Sequence, residues 1–125
     1  MNAFAAVAAG GVLGAWLRWG LSTWLNPRIP SLPLGTLVSN LVGGYLVGVA
    51  VAFFAAQSSI APEWRLFCIT GFLGGLTTFS TFSAESVELL LSGRYGAAAA
   101  HTAVHLFGSI LATVIGIATY RSLAA

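Results

Sequence analysis

Four long apolar blocks, separated by short polar or turn-rich stretches, organise the chain. The first runs from about Ala3 to Trp24, the second from Leu34 to Ala56, the third from Trp64 to Leu91 and the fourth from Ala97 to Tyr120. Each is long enough to cross a hydrocarbon layer as a helix of roughly 20 residues. The separators read as connections. "NPRIPSLP" is a short rigid loop with three prolines and Arg28; "QSSIAPE" offers Pro62 and Glu63 as a helix start; "SGRYG" is a tight turn. Small residues recur at four-residue spacing, at Gly10 and Gly14, at Gly44 and Gly48, and at Gly108, Ala112 and Gly116. Such spacing lets helix backbones approach closely.

The third block is interrupted. "GFLGGLTTFSTF", residues 71–82, puts glycines and β-branched threonines where a continuous membrane helix would not want them. An unwinding at Gly74–Thr78 would free carbonyls from their helical partners, and irregular backbone at membrane depth survives only inside protein or against a cavity. Freed carbonyls and half-helix ends are a known means of holding a cation.

Composition agrees with lipid as the solvent. Of 125 residues 58% are hydrophobic and 6% charged, with a mean hydropathy of +0.91; a soluble domain carries roughly a quarter charged residues. The expectation is one all-α membrane domain over 1–125, with four spans and a broken third helix. The first block lacks a basic leader and carries Arg18 within it, so it reads as a span and not as a signal peptide. Five arginines against three glutamates is too sparse a charge for nucleic acid, and Cys68 is the single cysteine. Apart from Arg18, the basic residues divide evenly. Arg65 and Arg121 fall on one side, Arg28 and Arg94 on the other. The chain therefore has no preferred orientation, and two copies could associate antiparallel.

Enzymatic machinery is absent: the sequence holds no acid–base carboxylate pair, no nucleophile triad and no phosphate loop. His101 and His105 stand at i, i+4, a metal-ligand spacing, with no carboxylate or cysteine close by in the sequence. The informative residues are uncharged and polar. Thr36 and Asn40 share a face of the second helix. His105, Ser109 and Thr113 form a stripe on the fourth. Phe79 and Phe82 share a face of the third, beside Ser80 and Ser83. The pattern fits either hydrogen bonds between helices or a narrow path for a small ion. Aromatic ring edges are positive, so Phe79 and Phe82 could attract an anion weakly, and weak binding suits conduction. Asn40 and the hydroxyls would add neutral donors.

"GGVLGAWLRW" (10–19), "GTLVSNLVGGYLVG" (35–48) and "GFLGGLTTFSTFSAE" (71–85) together resemble the small fluoride channels called Fluc, also known as CrcB. The resemblance implies an antiparallel, dual-topology homodimer in a bacterial inner membrane. It would export fluoride passively through two pores along the subunit interface. A structural Na⁺ would sit at the dimer centre, here on the carbonyls of Gly74 and Thr77. The pore phenylalanines would be Phe79 and Phe82, with Asn40 beside them and Thr36, Ser83 and Glu85 near the ion path. The polar track would be His105, Ser109 and Thr113. Arg18 would support structure or an electropositive vestibule. Trp19 and His105 depart from the tyrosines expected at those positions. The alternative function is a small dual-topology multidrug/proton antiporter, for which Glu85 would have to be the exchanging carboxylate. A helix-packing subunit without transport is a third.

Overall fold

A computed structural model describes residues 1–29 and 32–125. Among them helices dominate and strands are absent. Helix α1 is Ala3–Leu25 and α2 is Leu34–Ala56, each 23 residues, about 35 Å at 1.5 Å per residue. Helix α3 covers residues 62–76: an α-helical start at Pro62–Arg65, a π-helical stretch at Leu66–Leu73 and a last turn at Gly74–Leu76. Helix α4 is Phe79–Leu91, and α5 is Tyr95–Ala124, 30 residues long. Counting α3 and α4 as one crossing, four runs are long and apolar enough to span a membrane.

The ends follow local chemistry. Asn2 caps α1, its Oδ1 accepting the Ala5 N–H at 2.7 Å. Asn26–Arg28 makes one 3₁₀ turn with Pro27 at its start, and Arg28 lies over the Trp24 ring at 4.9 Å. The remainder of the proline loop, Pro30 and Ser31, lies outside the described residues. Gly93, at φ 77°, makes the turn between α4 and α5, a conformation glycine adopts without steric cost. The third run starts at Pro62 and the fourth at Tyr95, each two residues before the apolar blocks begin, because a proline at N1 and a short tight turn let the helix open in the polar flank.

Two helix pairs form the body, and both rest on missing side chains. Helix α1 lies against α3 with Gly10 and Gly14 facing the Phe67 and Phe72 carbonyls, while Gly71 and Gly75 face back toward the α1 backbone. Helix α2 lies against α5, where Gly48 meets the Thr113 carbonyl and Gly116 meets the Tyr45 carbonyl. A Cβ at any of these would collide with backbone. Of the fourth-helix small residues, Gly108 meets only the Leu41 side chain.

The break falls inside the expected Gly74–Thr78, on its two threonines. Gly74 and Gly75 stay helical; Thr77 (φ −89°, ψ 153°) and Thr78 (φ −149°, ψ 118°) are extended. Gly75 is needed for the close passage of α1, since a Cβ there would stand 2.6 Å from the Gly11 carbonyl oxygen and 3.0 Å from Ala15 N. The glycines therefore serve packing, and the threonines make the break.

Candidate functional site

The break is built by side chains that divert its hydrogen bonds. In a continuous helix the Thr78 N–H would go to the Gly74 carbonyl; here it goes to Asn40 Oδ1 at 2.8 Å. The Thr81 N–H, due to the Thr77 carbonyl, goes to Thr78 Oγ1 at 3.1 Å, so Thr78 is the N-cap of α4. The Gly75 carbonyl is taken by Arg18 Nε at 3.0 Å, and the Thr78 carbonyl by Asn40 Nδ2 at 3.1 Å. The Thr78 and Thr81 N–H groups, the helical donors of the Gly74 and Thr77 carbonyls, are therefore drawn elsewhere. Replacing Thr78 by Val keeps the shape and removes the cap. It should lower unfolding stability by about 1 kcal/mol, read as a shifted denaturation midpoint in micelles; an unshifted midpoint would deny Thr78 the capping role.

Next to the break lies a groove of about 560 Å³, open along one side of the bundle and walled by α2, α3, α4 and α5. Asn40, Gly74, Thr77, Phe79, Phe82, His105 and Ser109 line it, and so the structure brings these sequence candidates together. Phe79 and Phe82 meet edge to face, centroids 5.4 Å apart at 66°. Phe79 stands 78% exposed on the open side. Phe82 faces inward on two imidazoles, 5.4 Å from His101 and 4.8 Å from His105.

Other candidates lie outside the groove lining. Thr36 is fully buried and donates Oγ1–H to Glu85 Oε2 at 2.6 Å. Thr113 Oγ1 lies 2.9 Å from the Gly44 carbonyl and 3.0 Å from the Ser109 carbonyl, where it joins α5 to α2. Ser83 is exposed on α4. Arg18 reaches the break from α1 through the Gly75 carbonyl.

The histidine pair, without a carboxylate close by in the sequence, gains one in space: the chain turn between α4 and α5 returns Glu85 to His101, Oε1 to Nε2, at 3.2 Å. Glu85, His101 and His105 each bring a ligand-type atom within 4.8 Å of the others, a possible metal-binding cluster. Ser86 Oγ, 2.9 Å from His101 Nδ1, completes this group. The sequence offered only the i, i+4 histidines; Glu85 and Ser86 are reached through tertiary structure. Thr78, as cap, was legible from its place before "FST" and was missed.

The model for the "CrcB-like protein, Camphor Resistance (CrcB)" family matches residues 5–117. The chain belongs to the CrcB family. Curated relatives extend the match over nearly the whole CrcB chain. A protein of Cupriavidus metallidurans is 59% identical over 121 residues, 97% of this chain and 96% of its own. One of Nitrosospira multiformis is 57% identical over 124 residues, 99% and 97% of the two chains. One of Pseudomonas putida is 53% identical over 120 residues, 96% and 94%. All three are named "Fluoride-specific ion channel FluC".

Proposed function

We propose that this CrcB chain is a fluoride-selective channel that lets the anion leave the cytoplasm down its electrochemical gradient. The observation that carries the reading is the groove, mostly apolar, with Phe79, Phe82 and the uncharged polar residues Asn40, His105 and Ser109 in its lining at a helix break, in a chain more than half identical to proteins named as fluoride channels. A neutral wall binds an anion weakly and at several points, which favours throughput. Phe79, Phe82, His105 and Ser109 form that wall. Thr36, Ser83 and Glu85 lie toward one end of the route, and Thr113 continues the α5 stripe.

The channel acts as an antiparallel homodimer in a bacterial inner membrane. Two features favour it. The basic residues are balanced between the two sides, and the groove beside the helix break, lined by Gly74 and Thr77, lies open along one side of the bundle, where lipid could not satisfy a freed carbonyl. A second copy would close it. The carbonyls of Gly74 and Thr77 fit a Na⁺ site at the centre of such a dimer, since their N–H partners are diverted and a pair from each copy would converge; bound there, Na⁺ would hold the two breaks together. The antiporter alternative loses its footing, because each Glu85 oxygen already accepts a donor from Thr36 or His101.

The test is efflux from liposomes reconstituted with purified protein, followed with a fluoride electrode and, in parallel, a chloride electrode. Fluoride release with chloride retained is expected. Vesicles that keep their fluoride refute the channel reading, and proton uptake driven by a cationic drug would restore the antiporter.

A further inference from the structure

Asn40 faces Thr78 as one peptide group faces another. Its Oδ1 accepts the Thr78 N–H at 2.8 Å and its Nδ2 donates to the Thr78 carbonyl at 3.1 Å. Turning the amide over would set N–H against N–H and C=O against C=O, so its orientation is fixed. The second Nδ2 hydrogen is directed at His105 Nδ1, 3.0 Å away. A ring nitrogen receives an N–H only if it carries a lone pair. Nδ1 is therefore the bare nitrogen, and the neutral ring carries its hydrogen on Nε2. That nitrogen is buried without a hydrogen-bond partner, in a side chain 4% exposed. The ring is held by Phe82 at 4.8 Å and His101 at 4.4 Å. A buried donor left without an acceptor is destabilising, unless an acceptor comes to it.

A metal ion is the other use for these side chains, and the hydrogen bonds oppose it. A ligating imidazole offers a lone pair to the metal and its remaining N–H to an acceptor. His105 has an amide donor at Nδ1, so its remaining nitrogen holds hydrogen and not a lone pair. His101 is also committed, with Nε2 against Glu85 Oε1 and Nδ1 against Ser86 Oγ. Glu85, the anionic neighbour, already accepts the Thr36 O–H at its second oxygen.

We propose that Asn40 locks His105 in the Nε2–H tautomer, making that N–H a binding site for a small, strongly hydrogen-bonding anion. It rests on the channel reading in taking fluoride as that anion. Asn40 is then a positioning residue: both of its amide hydrogens are engaged within the protein, so it acts on the ion through His105. An uncharged N–H returns to a small anion part of the hydrogen bonding it loses with its water, and it releases the ion more readily than a cationic side chain would.

Nitrogen-15 NMR of the protein in lipid bilayers at pH 8 tests this directly. The chain has two histidines, and His101→Gln leaves one, which assigns the spectrum. The expected result is an unprotonated Nδ1 and a protonated Nε2 for His105, with sodium fluoride shifting Nε2 and sodium chloride leaving it in place. A proton on Nδ1, or an Nε2 indifferent to fluoride, overturns the proposal. Asn40→Asp should move the proton to Nδ1 and lower efflux at least tenfold; an unchanged tautomer in that variant also overturns it. His105→Gln, which keeps an N–H donor near the Nε2 position, should retain more efflux than His105→Phe, and equal efflux from the two counts against the donor. The two readings separate cleanly. Vesicles that conduct fluoride while Nε2 ignores it preserve the channel and remove this site; a fluoride-sensitive Nε2 without efflux does the reverse.

Discussion

Phe82→Ile is expected to cut fluoride efflux by about a hundredfold while the protein still folds and elutes as one species. Phe82 touches Phe79, His101 and His105 through its ring. Aromatic pairs contribute about 0.5–1.5 kcal/mol each beyond their buried area, so losing the ring loosens the His105 imidazole as well as removing a positive edge. A combined loss of about 3 kcal/mol at the barrier corresponds to roughly a hundredfold in rate. Isoleucine keeps most of the volume, which limits the cavity left behind. Efflux from liposomes of matched protein content is the measurement, and a rate within twofold of the unmodified protein would strip Phe82 of its part in conduction. Phe79, exposed on the open face, should be less damaging to fold and comparably damaging to efflux, since its ring has fewer partners inside this chain.

The second large effect is structural. Gly48→Leu should abolish folded protein, and Gly48→Ala should already destabilise by about 2–3 kcal/mol. A Cβ at Gly48 would overlap the Thr113 carbonyl oxygen and stand 3.0 Å from Ile117 N. Both are backbone, so neither can turn aside as a side chain would. Helix α2 would have to lift from α5, and with it the Thr113–Gly44 hydrogen bond. In lipid, helix association depends on such close packing and on interhelical hydrogen bonds, without a hydrophobic drive between helices. Gly20→Ala is the contrast, because nothing lies within 4 Å of its Cβ position and alanine is the better helix former. Denaturation in micelles should place Gly20→Ala at or above the unmodified protein and Gly48→Ala well below it. Equal midpoints would mean that the glycine seam carries no stability.

The four spans were plain in the sequence because lipid allows few alternatives: a long apolar run must be helical to satisfy its own backbone. The small-residue spacing likewise pointed to close helix contacts, and Gly10, Gly14, Gly48 and Gly116 make them. The break falls within the expected Gly74–Thr78, at its C-terminal end: Gly74 and Gly75 stay helical, and α1 packs so near Gly75 that only glycine fits there. The unwinding falls on Thr77 and Thr78, whose backbone and hydroxyl groups find partners outside the ordinary helical pattern. Those partners lie far away in sequence. Asn40 is 38 residues from Thr78 and 65 from His105, and no periodicity announces such a link. The same holds for Glu85 and His101. Thr36 and Asn40 were rightly placed on one face, yet that face divides between two tasks, one serving Glu85 and the other the break. The π-helical stretch before the break left no mark in composition.

Arg18 is the one basic residue inside the first span, and its Nε donates to a neutral carbonyl, Gly75 O. Among the described residues no carboxylate cancels its charge. A guanidinium does not give up its proton in proteins, so a fixed positive charge stays beside the break. An anion about 10 Å from it gains roughly 1.7 kcal/mol at an effective dielectric constant of about 20. That attraction offsets part of the cost of drawing an ion out of water, and it would repel a sodium or potassium ion by the same amount. In the channel proposed here, Arg18 would thus favour anions over mobile cations from a distance, and a Na⁺ fixed at the Gly74 and Thr77 carbonyls would have to outweigh the same repulsion through its direct ligands.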